Sequence, residues 1–113
     1  MARALKEQRL KVILQDYCNN TDEGTWIIPL NPDNIRLEFL PIKRSFSNAT
    51  NKYIGLPQAI EARDLFPSYV KELWHIKQKR EHRWKYWFYK IFCPSKINDS
   101  ADEKELLARH WQY

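Results

Sequence analysis

The chain predicts an α+β domain, in which a small antiparallel sheet of about three strands packs with an N-terminal helix and two or three C-terminal helices. Apolar residues recur at helical spacing near both ends, whereas short alternating runs bounded by Pro, Asn and Gly fill the stretch from Thr25 to Leu56. The length of 113 residues, 43% hydrophobic with two Gly, suits a single domain over 1–113 that buries a core without disulfide or metal staples.

From Ala2 to Tyr17, Leu5, Leu10, Ile13, Leu14 and Tyr17 follow a helical stripe, with Lys6, Arg9 and Lys11 mostly off it. The polar stretch Cys18 to Gly24 ends that helix. Thr25 to Leu30 has β-propensity, and Pro29 places it at a sheet edge or strand end because proline donates no ladder hydrogen bond. Asn31-Pro32-Asp33-Asn34 reads as a turn, and Ile35, Leu37 and Phe39 alternate with Arg36, Glu38 and Leu40 as a second strand, completing a hairpin. Pro41 ends it, Lys43 to Thr50 is a polar connection, and Lys52 to Leu56 returns as a short third strand.

Pro57 marks a helix start with Ile60, Ala62 and Leu65 as its apolar positions, and Pro67 opens a second helix or kinks the first. From Phe66 on, Phe66, Tyr69, Val70, Leu73, Trp84, Trp87, Phe88 and Ile91 share one core-facing stripe, interrupted by Lys77 and Arg80. A continuous helix from Pro67 to Phe92 would be about 39 Å long. The competing reading makes Arg83 to Cys93 a strand, since W-K-Y-W-F-Y-K-I-F is dense in β-favouring aromatics. Pro94 ends either element and Ser95 to Asp99 is a loop. Ser100 with Glu103 then forms a capping box for a helix from Ala101 to Trp111.

Tyr53-Ile54-Gly55, leading from a short strand into an Ala-containing helix, resembles the strand-to-helix end of plant-type AP2 and integrase-type DNA-binding domains. The resemblance implies strands packed on a helix. The Trp and Arg pattern that those domains use on their strands is missing, with Trp26 and Arg36 the only candidates, so no contact residue is carried over.

Function is signalled by charge. Between Lys71 and Lys90 seven Lys or Arg face two Glu, a local excess of +5 that equals the net charge of the whole chain. Trp74, Trp84, Tyr86, Trp87, Phe88 and Tyr89 are interleaved with those cations. On a helix, Lys79, Arg83 and Lys90 project from one flank of the apolar stripe, and Lys71, His75, His82, Lys85, Tyr86 and Tyr89 from the opposite face. This predicts a small, basic, non-enzymatic nucleic-acid-binding or accessory protein acting through residues 71–92. Lys77, Lys79, Arg80, Arg83, Lys85 and Lys90 would neutralise phosphates of DNA or RNA. Tyr86 and Tyr89, with Trp84 and Trp87, would stack on bases. The bland reading is a solvated helix face over a Trp-rich core. The rival is a small interaction subunit of a larger protein or nucleoprotein assembly, with the aromatic segment buried against a protein partner. A peripheral membrane contact is a third reading, weakened by the interruption of the stripe at Lys77 and Arg80.

Other chemistry is not signalled. His75 and His82 are too far apart along a helix to chelate together, and His110 suits a helix C-terminus, so no metal is expected. Catalytic and phosphate-cradling motifs are missing, and neither a catalytic residue nor a cofactor is expected. Cys18 and Cys93 lack C-x-x-C spacing, no apolar run reaches a membrane span, and the N-terminus does not read as a signal peptide. These features lead to the expectation of a cytoplasmic or other reducing intracellular compartment, in which the sequons at Asn19, Asn48 and Asn98 are plain loop chemistry.

Overall fold

The computed structural model describes residues 3–81 and 83–112. The first helix, α1 (Arg3–Asn20), presents Leu10, Leu14, Tyr17 and Cys18 to the core. It ends in a tight reversal. The Thr21 hydroxyl donates to the Tyr17 carbonyl at 2.6 Å and accepts the Gly24 N–H at 3.0 Å. Gly24 passes so close that an added Cβ would lie 2.2 Å from the Tyr17 carbonyl oxygen, so only glycine fits.

The segment after Gly24 is where the sequence reading fails first. Thr25 to Leu30 is part of a 3-10 helix, Glu23–Leu30, rather than a hairpin strand. Asn31 takes the left-handed conformation at φ 53°, which Asn tolerates, and a second 3-10 turn, Pro32–Asn34, leads into the sheet. The close approach to α1 explains the difference: the chain is folded back against the helix end, where Ile27 and Leu30 are buried without a ladder partner.

Strands β1 (Arg36–Leu40), β2 (Phe46–Asn48) and β3 (Tyr53–Pro57) form a sheet in the order β1-β3-β2. The sheet is mixed where the sequence predicts an antiparallel one. β2 runs antiparallel to β3, with Phe46 opposite Gly55, but β1 pairs parallel to β3, from Arg36 opposite Tyr53 to Leu40 opposite Pro57. The supposed polar connection supplies β2 and lets the chain come back alongside β1 in the parallel sense. Ile54, Leu56 and Phe39 are buried toward the helices.

Pro57 closes β3, and the next helix, α2 (Ala62–Glu81), begins five residues later. It runs through Pro67 without restarting. Near a helix N-terminus the proline forfeits only the bond to the Arg63 carbonyl, and Arg63 is exposed to water. Leu65, Phe66, Tyr69, Val70, Leu73 and Ile76 make α2 the central element, buried against α1, the sheet and the last helix. Helix covers the described residues on both sides of His82, which lies outside them: α2 runs to Glu81 and α3 (Arg83–Phe92) follows, so the strand alternative for this segment is excluded. The helix α4 (Pro94–Gln112) starts with Pro94 at its first position, where the missing N–H is no loss. Ser95 to Asp99 is therefore helical and Ser100 is interior, so the capping box does not exist.

The helices α1, α2 and α4 and the mixed sheet share one contiguous buried cluster, an α+β architecture to which α3 adds no buried residue. Ion pairs fasten α4 to α2: Arg109 to Asp64 at 2.7 Å, and Lys71 to Asp102 at 3.2 Å and Glu105 at 3.6 Å. No described helix is long and apolar enough to cross a membrane.

Candidate interaction surface

The helix α3 faces the opposite way from the one its apolar stripe predicts. Trp84, Trp87, Phe88, Ile91 and Phe92 lie within an arc of about 140° at 100° per residue. They are 84%, 57%, 51%, 53% and 65% exposed, respectively. These are not core residues. Tyr86 and Tyr89, expected outside, are half-buried on the other side, beside α2 and α4. The polar tips of the tyrosines tolerate a half-wet seam between helices, whereas the wholly apolar rings are left in solvent. Phe88 and Phe92 lean together at 4.9 Å, and Tyr89 meets the edge of Phe88 at 5.9 Å, so the exposed rings are partly organised.

The basic residues divide into engaged and free sets. Lys71 is held by Asp102 and Glu105, and Lys77 by Glu81 at 2.8 Å with Trp26 6.0 Å away. Lys77 thereby leaves the predicted phosphate-binding set. Lys79, Arg80, Arg83, Lys85 and Lys90 are exposed and make no ion pair among the described residues. Arg83 and Lys90 border one edge of the apolar arc and Lys85 the other. No Asp or Glu occurs from Arg83 to Asn98. His82, counted with the basic face, lies outside the described residues.

Three predicted residues do converge. Lys85, Tyr86 and Tyr89 line a niche of about 220 Å³ with Trp74, Gln78, Lys96, Ile97 and Ser100. Lys96 Nζ sits 5.3 Å from the Tyr89 ring centre, and the Trp74 indole N–H donates to Ser100 Oγ at 2.8 Å. Gln78 Nε2 donates to the Ile97 carbonyl at 3.4 Å, while its Oε1 is buried without a partner. Sequence reasoning missed Gln78, Lys96 and Ser100 because it read 95–99 as a loop, whereas continuous α4 carries Lys96 and Ser100 on one face, four residues apart.

The Ser100 contact makes a prediction. Ser100→Ala should cost about 1 kcal/mol, since the Trp74 indole loses its acceptor while Ala slightly favours the helix. A double-mutant cycle with Trp74→Phe, read by urea unfolding, should return most of that as coupling. Zero coupling would mean that water replaces the hydroxyl at no cost.

A wider cleft of about 820 Å³ lies between the β1–β2 connection, α2 and α4. Four of its charged residues are paired with one another. Asp64, Lys71, Glu105 and Arg109 form the α2–α4 ion pairs, and buried Glu72 accepts the Ser45 hydroxyl at 2.7 Å, anchoring the connection. Among the described residues no three His, Cys, Asp or Glu side chains gather in a way that could hold a metal. Compared with known proteins, the chain matches no family model, no curated protein and no solved structure.

Proposed function

We propose that this chain is a binding protein that docks through the outer face of α3 into an apolar groove edged by carboxylates on a partner protein. The observation that carries the reading is the set of five large apolar side chains on one helix face, each more than half exposed. Contiguous exposed apolar patches of this kind mark interaction surfaces, and Trp and Arg are the residues most enriched at their energetic centres. Charge selects the occupant. Arg83, Lys85 and Lys90 along the borders favour an acidic rim and disfavour a second copy of the same basic helix.

Nucleic-acid binding keeps support from the five exposed cations that make no ion pair among the described residues, with Trp84 and Trp87 rather than the tyrosines as outward stacking groups. It ranks second because Ile91, which has no π-face for a base to stack on, lies within the apolar face. The test is binding of the full chain to designed helical hairpins that present a leucine-lined groove edged with Glu, with Lys-edged hairpins, phosphatidylserine vesicles and single-stranded oligonucleotides alongside. A blue shift of Trp emission is expected with the Glu-edged groove and not with the Lys-edged one. Binding to vesicles or oligonucleotides without binding to the Glu-edged groove would overturn the reading, as would concentration-dependent self-association through the same face.

A further inference from the structure

A second concave surface, built without any residue of α3, lies between α1, the two 3-10 segments and β1. We infer that this groove binds a small organic ammonium ion, its charged head between Asp33 and the Tyr69 hydroxyl and its hydrocarbon body along Leu14 and Leu10.

The groove measures about 560 Å³, within the roughly 300–1,000 Å³ typical of small-molecule sites. Along one wall α1 sets Glu7, Leu10, Lys11, Leu14 and Cys18 on a single stripe, which at 1.5 Å per residue is about 16 Å long. An elongated ligand fits. Leu10, Leu14 and Ile35 are buried at its base, so a hydrocarbon body laid there meets apolar side chains on two elements.

One polar group stands at that base without a partner. Tyr69, on α2, is only 4% exposed, yet its hydroxyl makes no hydrogen bond to the described residues. Among those residues the unpartnered side-chain atoms sealed from water are the Trp26 indole nitrogen and the Gln78 amide oxygen, so the Tyr69 hydroxyl is open to the groove that its ring lines. A ligand can reach it. Burial raises the Tyr69 phenol well above its usual value, and Asp33 and then Cys18 add to the rise, which sets both beside the hydroxyl. The phenol therefore stays protonated at neutral pH, and its oxygen is free to accept from an ammonium.

Charge at this end selects a cation. Asp33 is exposed at the lip and makes no ion pair among the described residues. Cys18 belongs to the last turn of α1, a turn that carries no basic residue, so the negative end of the helix dipole adds to the same potential. Lys11 is the groove's one cationic side chain, and it lies seven residues back along α1 from Cys18, about 10 Å away. A carboxylate head would meet Asp33 with like charge, and an alcohol would gain nothing from it.

The probes are hexylamine and phenethylamine, with hexanol and hexanoate as matched bodies lacking the cation and ammonium chloride as the cation lacking a body. The readout is the backbone amide resonances of Asn19, Asp33 and Leu37 in the full chain. At least one amine should shift them saturably with Kd about 1 mM, an affinity that seven to nine heavy atoms can supply. Hexanol and hexanoate should bind at least about fivefold more weakly than the amine, and ammonium chloride should leave the resonances in place.

Tyr69→Phe keeps the ring and removes the open oxygen. It should weaken the amine about fivefold without lowering the melting temperature, because the hydroxyl has no partner in the fold to lose. Asp33→Asn, at an exposed position, should weaken the amine about fivefold and leave hexanol unchanged. The proposal is overturned if neither amine moves the resonances at about 20 mM, if hexanol or hexanoate binds as tightly as the amine, if ammonium chloride reproduces the shifts, or if either variant binds the amine as tightly as the parent. Neither substitution touches α3, so docking to the Glu-edged hairpins should be unchanged in both, and failure of one proposal leaves the other standing.

Discussion

The double substitution Trp84→Ala, Trp87→Ala is expected to leave the free energy of unfolding within about 0.5 kcal/mol of the parent while abolishing measurable docking through α3. Both rings are more than half in water already, so removing them opens no cavity and exposes little new apolar surface. At an interface the position reverses. Central Trp residues commonly carry 2–4 kcal/mol each when truncated, enough together to weaken binding by three orders of magnitude or more. The measurements are urea unfolding and titration with the Glu-edged hairpin. If the pair instead loses 3–5 kcal/mol per Trp, the cost of a large-to-small change in a core, then α3 is packed inward and the docking face does not exist.

That contrast marks the limit of what the sequence discloses. Periodicity locates the helices and two of the three strands, because alternation and the 3.6-residue repeat are local properties. It cannot say which neighbour takes which side of α3. The stripe through Phe66, Tyr69, Val70 and Leu73 does face the core, yet its continuation at Trp84, Trp87, Phe88 and Ile91 does not, because α3 rests on α4 through its tyrosines. Thr25 to Leu30 is misread for a similar reason: its β-propensity yields to the backbone approach of Gly24 to Tyr17, a contact between elements. The capping box at Ser100 is good local grammar. It loses to Pro94, which starts the helix earlier and frees the hydroxyl for Trp74. Of the predicted site residues, Lys77 is drawn into an ion pair with Glu81, while Lys85, Tyr86 and Tyr89 meet at the niche, whose remaining walls come from α2 and α4.

Phe66→Ala should be the most destabilising single change, at about 3–5 kcal/mol, a large share of the roughly 5–15 kcal/mol by which a domain is stable. Phe66 is fully buried on α2, at the point where three helices meet. Its ring stands edge-on to Tyr17 of α1 at 5.2 Å and tilts against Trp111 of α4 at 5.8 Å, while Tyr17 and Trp111 are themselves 5.1 Å apart. Removing Phe66 therefore leaves a void between two elements that its ring holds together, and Phe66→Leu, which fills most of it, should cost less than half as much. Tyr17 supplies a second readout. Burial, aided by Glu23 and Cys18, pushes its phenol up to about 12, so the stability it contributes is whole below the unfolded value near 10 and is lost as pH rises toward 12. Water entering the Phe66→Ala void should bring that titration back toward 10, followed by ultraviolet absorbance of the folded variant at low temperature. A loss below about 1 kcal/mol with an unchanged Tyr17 titration would show that the three rings do not pack as a unit, and that α1 and α4 are held to α2 by other contacts.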